Sequence, residues 1–278
     1  EIRFFRGRGM SFGPIPGVSP YRSIMSLNQT NSLLNQTLER LSSGLRVNRA
    51  ADDPAGLAIA IKFRSRSRSG EQAIRNINTG VSMVQTAGAA MDEVGNLLDR
   101  MRELAVQSSN GTLSSAQRSN IDSEFDELSD EIARIAKATE FNDISLADGT
   151  TSSVDVQVGV GGGTADTVSV SLANVGVSNL GLTSTDLSTA SAASDAIADI
   201  DAAIETVNEY RSDLGASENR LDAAGGYMSS YVNNMRAAQS SIMDADIAFE
   251  TAEASRLQIL QASGVAASDG ILEAAGKQ

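Results

Sequence analysis

Residues 84–108 read VQTAGAAMDEVGNLLDRMRELAVQS. Small or apolar side chains recur at Val84, Ala87, Met91, Val94, Leu98, Met101, Ala105 and Ser108, in alternating steps of three and four. That spacing is a heptad seam, and it predicts a long helix with one buried stripe. A stripe of this kind is stable only against other helices, so the remainder of the chain must supply them. Reading toward the N-terminus, the helix extends back to Leu57, with Pro54 as its first residue and Asp52 or Asp53 as the cap. Reading forward, Asn110-Gly111-Thr112 stops it with turn chemistry.

Further elements follow on either side. Ser115–Thr139 predicts a second helix, with Ile121, Phe125, Leu128, Ile132 and Ile135 on one stripe, ended by Phe141-Asn142-Asp143. Val154–Val158 and Val168–Leu172 alternate apolar and polar residues about the glycine-rich Gly159–Thr164, which reads as a β-hairpin. The Ser/Thr-rich stretch 174–194 reads as loop. Helical period returns at Ile197, Ile200, Ile204, Val207, Leu214 and Leu221, with Arg211 and Glu218 at seam positions a fully buried core would not give them. Before the first long helix, Leu27, Leu34, Leu38, Leu41 and Leu45 form a stripe over 25–50, and Phe249, Leu257, Leu260 and Val265 carry another over 241–278. Residues 1–24, with three of the four prolines (Pro14, Pro16, Pro20), read as an irregular arm. The expected fold is mainly α: a long antiparallel helical bundle with paired terminal helices and a small β-hairpin region in the middle. The rod helices cover 51–145 and 195–240, and the hairpin and loop cover 146–194.

Composition narrows the function. The 278 residues hold seven Phe, four Tyr and no Trp, which suits thin bundles of small aliphatic side chains better than a wide globular core. With no Cys and no His, disulfides, ordinary zinc sites, Ser-His-Asp triads and Cys-His dyads all lack a required member. No cofactor, metal site or enzymatic constellation is expected. The net charge of −13 is uneven: residues 1–75 carry +7 and residues 76–278 carry −20. Such asymmetry fits a nucleic acid or a membrane surface, or opposite patches on identical subunits. The basic run Lys62, Arg64, Arg66, Arg68 has only Phe63 beside it for base stacking, so it reads as a solvated helix face or an axial contact between subunits, with no nucleic acid. No apolar run approaches the ~20 residues of a membrane span, and no apolar stretch follows the basic start as in a secretory signal. Gly159–Thr164 lacks the lysine and following helix of a phosphate-binding loop. Asp52, Asp53, Asp244 and Asp246 are explained by helix capping without a cation.

Two blocks at opposite ends carry a resemblance. Leu38–Ala60, containing LSSGLRVNRAADDPAGLAIA, and Asp244–Glu250 followed by Arg256-Leu257-Gln258-Ile259-Leu260-Gln261, are similar to the terminal signatures of bacterial flagellins. Arg100–Ser108 and Arg211–Leu221 resemble the family's outgoing and returning rod helices. The likeness runs from about Met25 to Gln261. It implies a non-enzymatic subunit that polymerises into the extracellular flagellar filament, with terminal helices in an inner tube and a rod-plus-hairpin layer around it. Only about 21 residues separate the hairpin from the returning helix region, too few for an inserted surface domain, so the form is minimal. The hook–filament junction protein shares these end signatures and is the alternative.

The same resemblance implies self-association, export as an unfolded chain by the flagellar type III apparatus with a chaperone, and assembly under a filament cap. The residues expected to take part in assembly are Leu34, Leu38, Leu41, Leu45, Asp52, Asp53, Arg64, Arg66, Arg256, Leu257 and Leu260. Arg100, Leu104 and Glu124 match positions that a vertebrate Toll-like immune receptor recognises in some flagellins. The family's start methionine aligns with Met10, which makes 1–9 an expected extension, and the end, 270–278, departs from the family's usual apolar tail.

Overall fold

The computed structural model describes residues 20–276. Residues 1–19 of the expected irregular arm, including Met10, lie outside the described residues, whereas 20–24 are helical, because Pro20 takes the first position of α1, where its missing N–H costs nothing. Helix α1 spans Pro20–Ser43, α2 Pro54–Ser108, α3 Ser115–Ala138, α4 Ala190–Met243 and α5 Ile247–Gly276. Strands β1 (Glu140–Phe141) and β2 (Ile144–Ser145) form one small hairpin, and β3 (Ser153–Gln157) and β4 (Thr167–Ser171) another, both antiparallel. No helix among the described residues is long and apolar enough to cross a membrane.

The chain divides into two compact units: residues up to Lys62 together with those from Ala238 onward, and Phe63–Ala237. In the larger unit every member of the 84–108 seam is buried: Val84, Ala87, Met91, Val94, Leu98, Met101, Ala105 and Ser108. Helix α4 runs antiparallel to α2, as successive pairings show: Gln85 Nε2 donates to Glu218 Oε1 at 2.9 Å, Arg211 meets Asp92 at 2.6 Å, and Arg102 meets Asp201 at 2.6 Å. Arg211 and Glu218, out of place in a wholly apolar seam, are thus the α4 side chains that reach polar groups on α2. Close approach also needs Gly70, where an added Cβ would stand 2.6 Å from Val232 Cγ2. Helix α3 lays Ile121, Phe125, Ile132 and Ile135 into the same core. Its start is fixed by a capping box in which the Ser114 hydroxyl accepts from Gln117 N and the Gln117 amide oxygen accepts from Ser114 N.

The β3–β4 hairpin pairs Val154 with Val170 and Val156 with Val168, and buries Val156, Val168 and Val170 in the core. It rests on α2 at Gly80, where a Cβ would meet Val156 Cγ2 at 3.0 Å. The helix stop expected at Phe141-Asn142-Asp143 is also the turn of a short hairpin. Asn142 (φ 51°) and Asp143 (φ 63°) both adopt left-handed backbone, which gives a two-residue turn between Phe141 and Ile144. The stretch read as loop is irregular up to Thr189, but it is packed inward by Val175, Leu180, Leu182 and Leu187. Leu187 is clamped through its backbone: its carbonyl accepts from Ser108 Oγ (2.7 Å) and its N–H donates to Asp122 Oδ1 (2.8 Å). Helix α4 starts a few residues earlier than its periodicity suggested, at Ala190, with Thr189 Oγ1 accepting from Ala192 N.

Candidate assembly surfaces

The smaller unit contains α1 and α5, paired antiparallel, together with the segments that break the helices on either side. Gly44 ends α1 with a φ of 70°. The chain then forms an isolated bridge between Leu45 and Asp244: Arg46 N donates to Met243 O (2.6 Å) and Ala245 N to Gly44 O (2.9 Å). The Arg46 guanidinium also donates to Ile242 O at 2.6 Å, so two helix breaks close on each other. Val47 is fully buried at this joint. The two neighbouring aspartates divide their labour. Asp53 caps α2, accepting from Gly56 N at 2.8 Å, with Pro54 as the first helical residue. Asp52 instead holds the preceding turn, accepting from Arg49 N (2.9 Å), Asn48 N (3.0 Å) and Gln36 Nε2 of α1 (3.2 Å).

The backbone N–H groups of Arg49 and Asn48 hold the Asp52 carboxyl below its ordinary pKa. A depressed folded pKa contributes stability that is complete above the ordinary value of 3.8 and is lost as pH falls through the folded value. Asp52→Asn filaments are therefore expected to dissociate at lower temperature than wild type at neutral pH. The two should converge below pH 3.8, where the native carboxyl takes up a proton. Sedimentation against temperature at both pH values checks this.

Between α1 and α5 the buried apolar contact is small: Leu34 with Ala254 and Leu257. Polar links set the register. Arg40 meets Glu250 at 3.3 Å, with the Glu250 side chain only 6% exposed, and Gln261 Nε2 donates to Asn31 Oδ1 at 2.8 Å. Several other apolar side chains face outward: Met25 is 68% exposed, Leu38 42%, Phe249 65%, Ile259 70% and Leu260 44%. Of the residues expected in assembly, Leu34 and Leu257 thus serve contact within the chain. Leu41 and Leu45 are half-buried, while Leu38 and Leu260 belong to the uncovered set. Arg256 is exposed and paired with Glu253 on its own helix.

In the larger unit Arg64 and Arg66 are both exposed; two residues apart, they leave α2 in different directions. Neither takes part in a salt bridge among the described residues. Arg100 bridges Glu124 of α3 at 2.7 Å and Glu103 at 2.8 Å, and these carboxylates raise its pKa further. Leu104, four residues from Arg100 and on the same helix face by spacing, is only 1% exposed and sits in the core. Three residues after Met101 and next to Ala105, Leu104 flanks the buried seam. The Arg40–Glu250 pair and the Arg46 backbone links were not read from sequence, because each joins residues roughly two hundred positions apart. Among the described residues no group of three His, Cys, Asp or Glu could hold a metal.

The comparisons with known proteins agree with this geometry. Residues 22–152 match the bacterial flagellin N-terminal helical region, and residues 197–268 the C-terminal helical region. A flagellin of Halalkalibacterium halodurans is 40% identical over 88% of this chain and 89% of its own length. That of Bacillus subtilis is 35% identical over 87% of this chain and 90% of its own. The crystal structure of Bacillus cereus flagellin superposes with a TM-score of 0.51 at 32% identity, covering 59% of this chain and 94% of that one. With two paired end regions matched and an apolar face on the terminal helices that the chain does not itself cover, the chain belongs to the bacterial flagellins, the structural subunits of the extracellular flagellar filament that serves motility.

Proposed function

We propose that α1 and α5 are the polymerising element and that they become fully ordered only against other copies. The observation that carries this is the mismatch on these helices: three buried apolar residues against a set of exposed ones that includes Met25, Phe249 and Ile259. Exposed apolar area on this scale marks an interaction surface, and identical copies related by a non-closing operation form a helix rather than a ring. Leu38, Leu41, Leu45 and Leu260 contribute to contacts between copies, and Asp52 and Asp53 keep the joint in the shape those contacts need. Arg64 and Arg66 are matched by acidic surface on a neighbouring copy. Weak pairing of α1 with α5 also suits passage as an unfolded chain through the type III export apparatus, with a chaperone covering the apolar faces and a cap guiding assembly at the tip. The chain does this work without catalysis. Limited proteolysis tests the scheme: monomer is expected to lose α1 and α5 first, leaving a core near 63–237, while filaments resist at those sites. Equal resistance of the terminal helices in monomer and filament would refute it.

The receptor reading rests on Arg100 and Glu124, which stand exposed and paired across α2 and α3. Leu104 would act by packing beneath them. Arg100→Ala is expected to lower Toll-like receptor signalling by monomer while leaving the fold intact, since a solvent-screened surface ion pair contributes little to stability. Unchanged signalling would remove this reading.

A further inference from the structure

The turn between α2 and α3 contains Asn110-Gly111-Thr112, and its hydrogen bonds do more than stop a helix. Asn110 Oδ1 accepts from both Thr112 N (3.1 Å) and Thr112 Oγ1 (3.0 Å). A backbone N–H can only donate, so this atom is the amide oxygen and not the nitrogen. Gly111 N–H donates to no group among the described residues. Nothing lies within 4 Å of the position a Gly111 Cβ would occupy. The turn therefore sets a free nucleophilic nitrogen next to a carboxamide whose oxygen is gripped by two donors, where negative charge would develop on attack.

We propose that Asn110 is a site of spontaneous self-modification, its side chain cyclising onto the Gly111 nitrogen and opening to an acidic residue. Solvent base removes the Gly111 amide proton, and the nitrogen bonds to Asn110 Cγ. The two Thr112 donors stabilise the tetrahedral oxyanion. The Cγ–Nδ2 bond breaks and the amide nitrogen leaves, protonated, as ammonia. Water then adds to either carbonyl of the five-membered imide, breaking one C–N bond and giving an aspartyl or an isoaspartyl link. No oxidant or cofactor enters.

The protein carries its own control. Asp148-Gly149-Thr150 repeats the arrangement, with Asp148 Oδ1 accepting from Thr150 N (2.9 Å) and Thr150 Oγ1 (2.7 Å). There the side chain is a carboxylate, and the Thr150 donors keep it ionised by lowering its pKa. An ionised carboxylate is a poor electrophile, and Gly149 differs from Gly111 in its left-handed backbone (φ 78°) against Asn174, so position 148 is expected to react more slowly. The product at position 110 has structural weight. The Asn110 carbonyl accepts from Leu113 N (3.3 Å) and from the buried Arg118 guanidinium (2.9 Å), whose Nη1 has no hydrogen-bond partner among the described residues. An isoaspartyl link lengthens the backbone at this point, and either product sets a negative charge in the turn that Arg118 holds.

The test is ageing of the full-length protein in mildly alkaline buffer, followed by peptide mass mapping and isoaspartyl methyltransferase labelling. Modification is expected at position 110, ahead of every other asparagine and of position 148. Thr112→Val, which removes the hydroxyl donor, should slow it by roughly tenfold, the scale of one hydrogen bond. Thr112→Ser should restore the rate. Gly111→Ala has room for its methyl and should also slow the reaction. A rate at position 110 no higher than at other asparagines, an unchanged rate in Thr112→Val, or reaction only in urea-unfolded chain would each overturn the proposal.

Discussion

A chain lacking residues up to Val47 is expected to remain soluble, helical and cooperatively folded, and to form no filaments even when seeded. The deletion removes all of α1 and the bridge residues Leu45 and Arg46, and with them the Leu34 contact, the Arg40–Glu250 pair and the links to Ile242 and Met243. Nothing in the larger core is touched, because its buried members begin at Ala73 and end at Met228. The net charge moves from −13 to −17, which opposes non-specific association of the newly bared α5. Circular dichroism should show a melting transition close to that of the intact monomer, while electron microscopy after seeding shows none of the polymer that wild type forms. Normal filaments from the deleted chain would refute the role of α1. An unfolded product would refute the independence of the two cores.

What could be read from the sequence differs between the two units for a physical reason. The α2 seam is periodic and its partners lie in the same chain, so all eight predicted positions are buried. The α1 stripe is equally periodic, yet only Leu34 is buried, alongside the polar Thr37, while Leu38 faces outward. Periodicity reports which residues could share a face, and it is silent on whether the chain itself covers that face. Local capping was partly legible: a cap was expected from Asp52 or Asp53, and the structure gives it to Asp53 and uses Asp52 to tie the turn to α1. The Asn142-Asp143 turn carries a signal in its two left-handed-tolerant residues between Phe141 and Ile144, but strands of two residues are too short to show an alternating pattern around it. Leu104 shows the limit of spacing arguments. Sharing a side with Arg100 places it near the boundary of the stripe, and burial is then decided by what α3 and α4 bring over it.

Phe125→Ala is expected to be the most damaging single substitution in the larger unit. Phe125 is 1% exposed and is the one aromatic side chain fully buried among the described residues. Its surroundings are a core of Ala, Val, Leu, Ile and Met on helices fixed by heptad packing. Those helices cannot close inward around a lost ring without breaking their register, so most of the ring's volume would remain as a cavity. Phenylalanine-to-alanine changes of this kind cost about 3–5 kcal/mol. In a unit of this size that lowers Tm by on the order of 10 °C. Phe125→Leu refills most of the space and should cost markedly less, and Arg100→Ala on the neighbouring surface should change stability least. Urea titration of the monomer separates these outcomes through the midpoint at constant slope. A loss below about 1 kcal/mol for Phe125→Ala would mean that α3 repacks freely. The aromatic-poor core would then tolerate sliding between its helices, contrary to the register that Arg211–Asp92 and Arg102–Asp201 define.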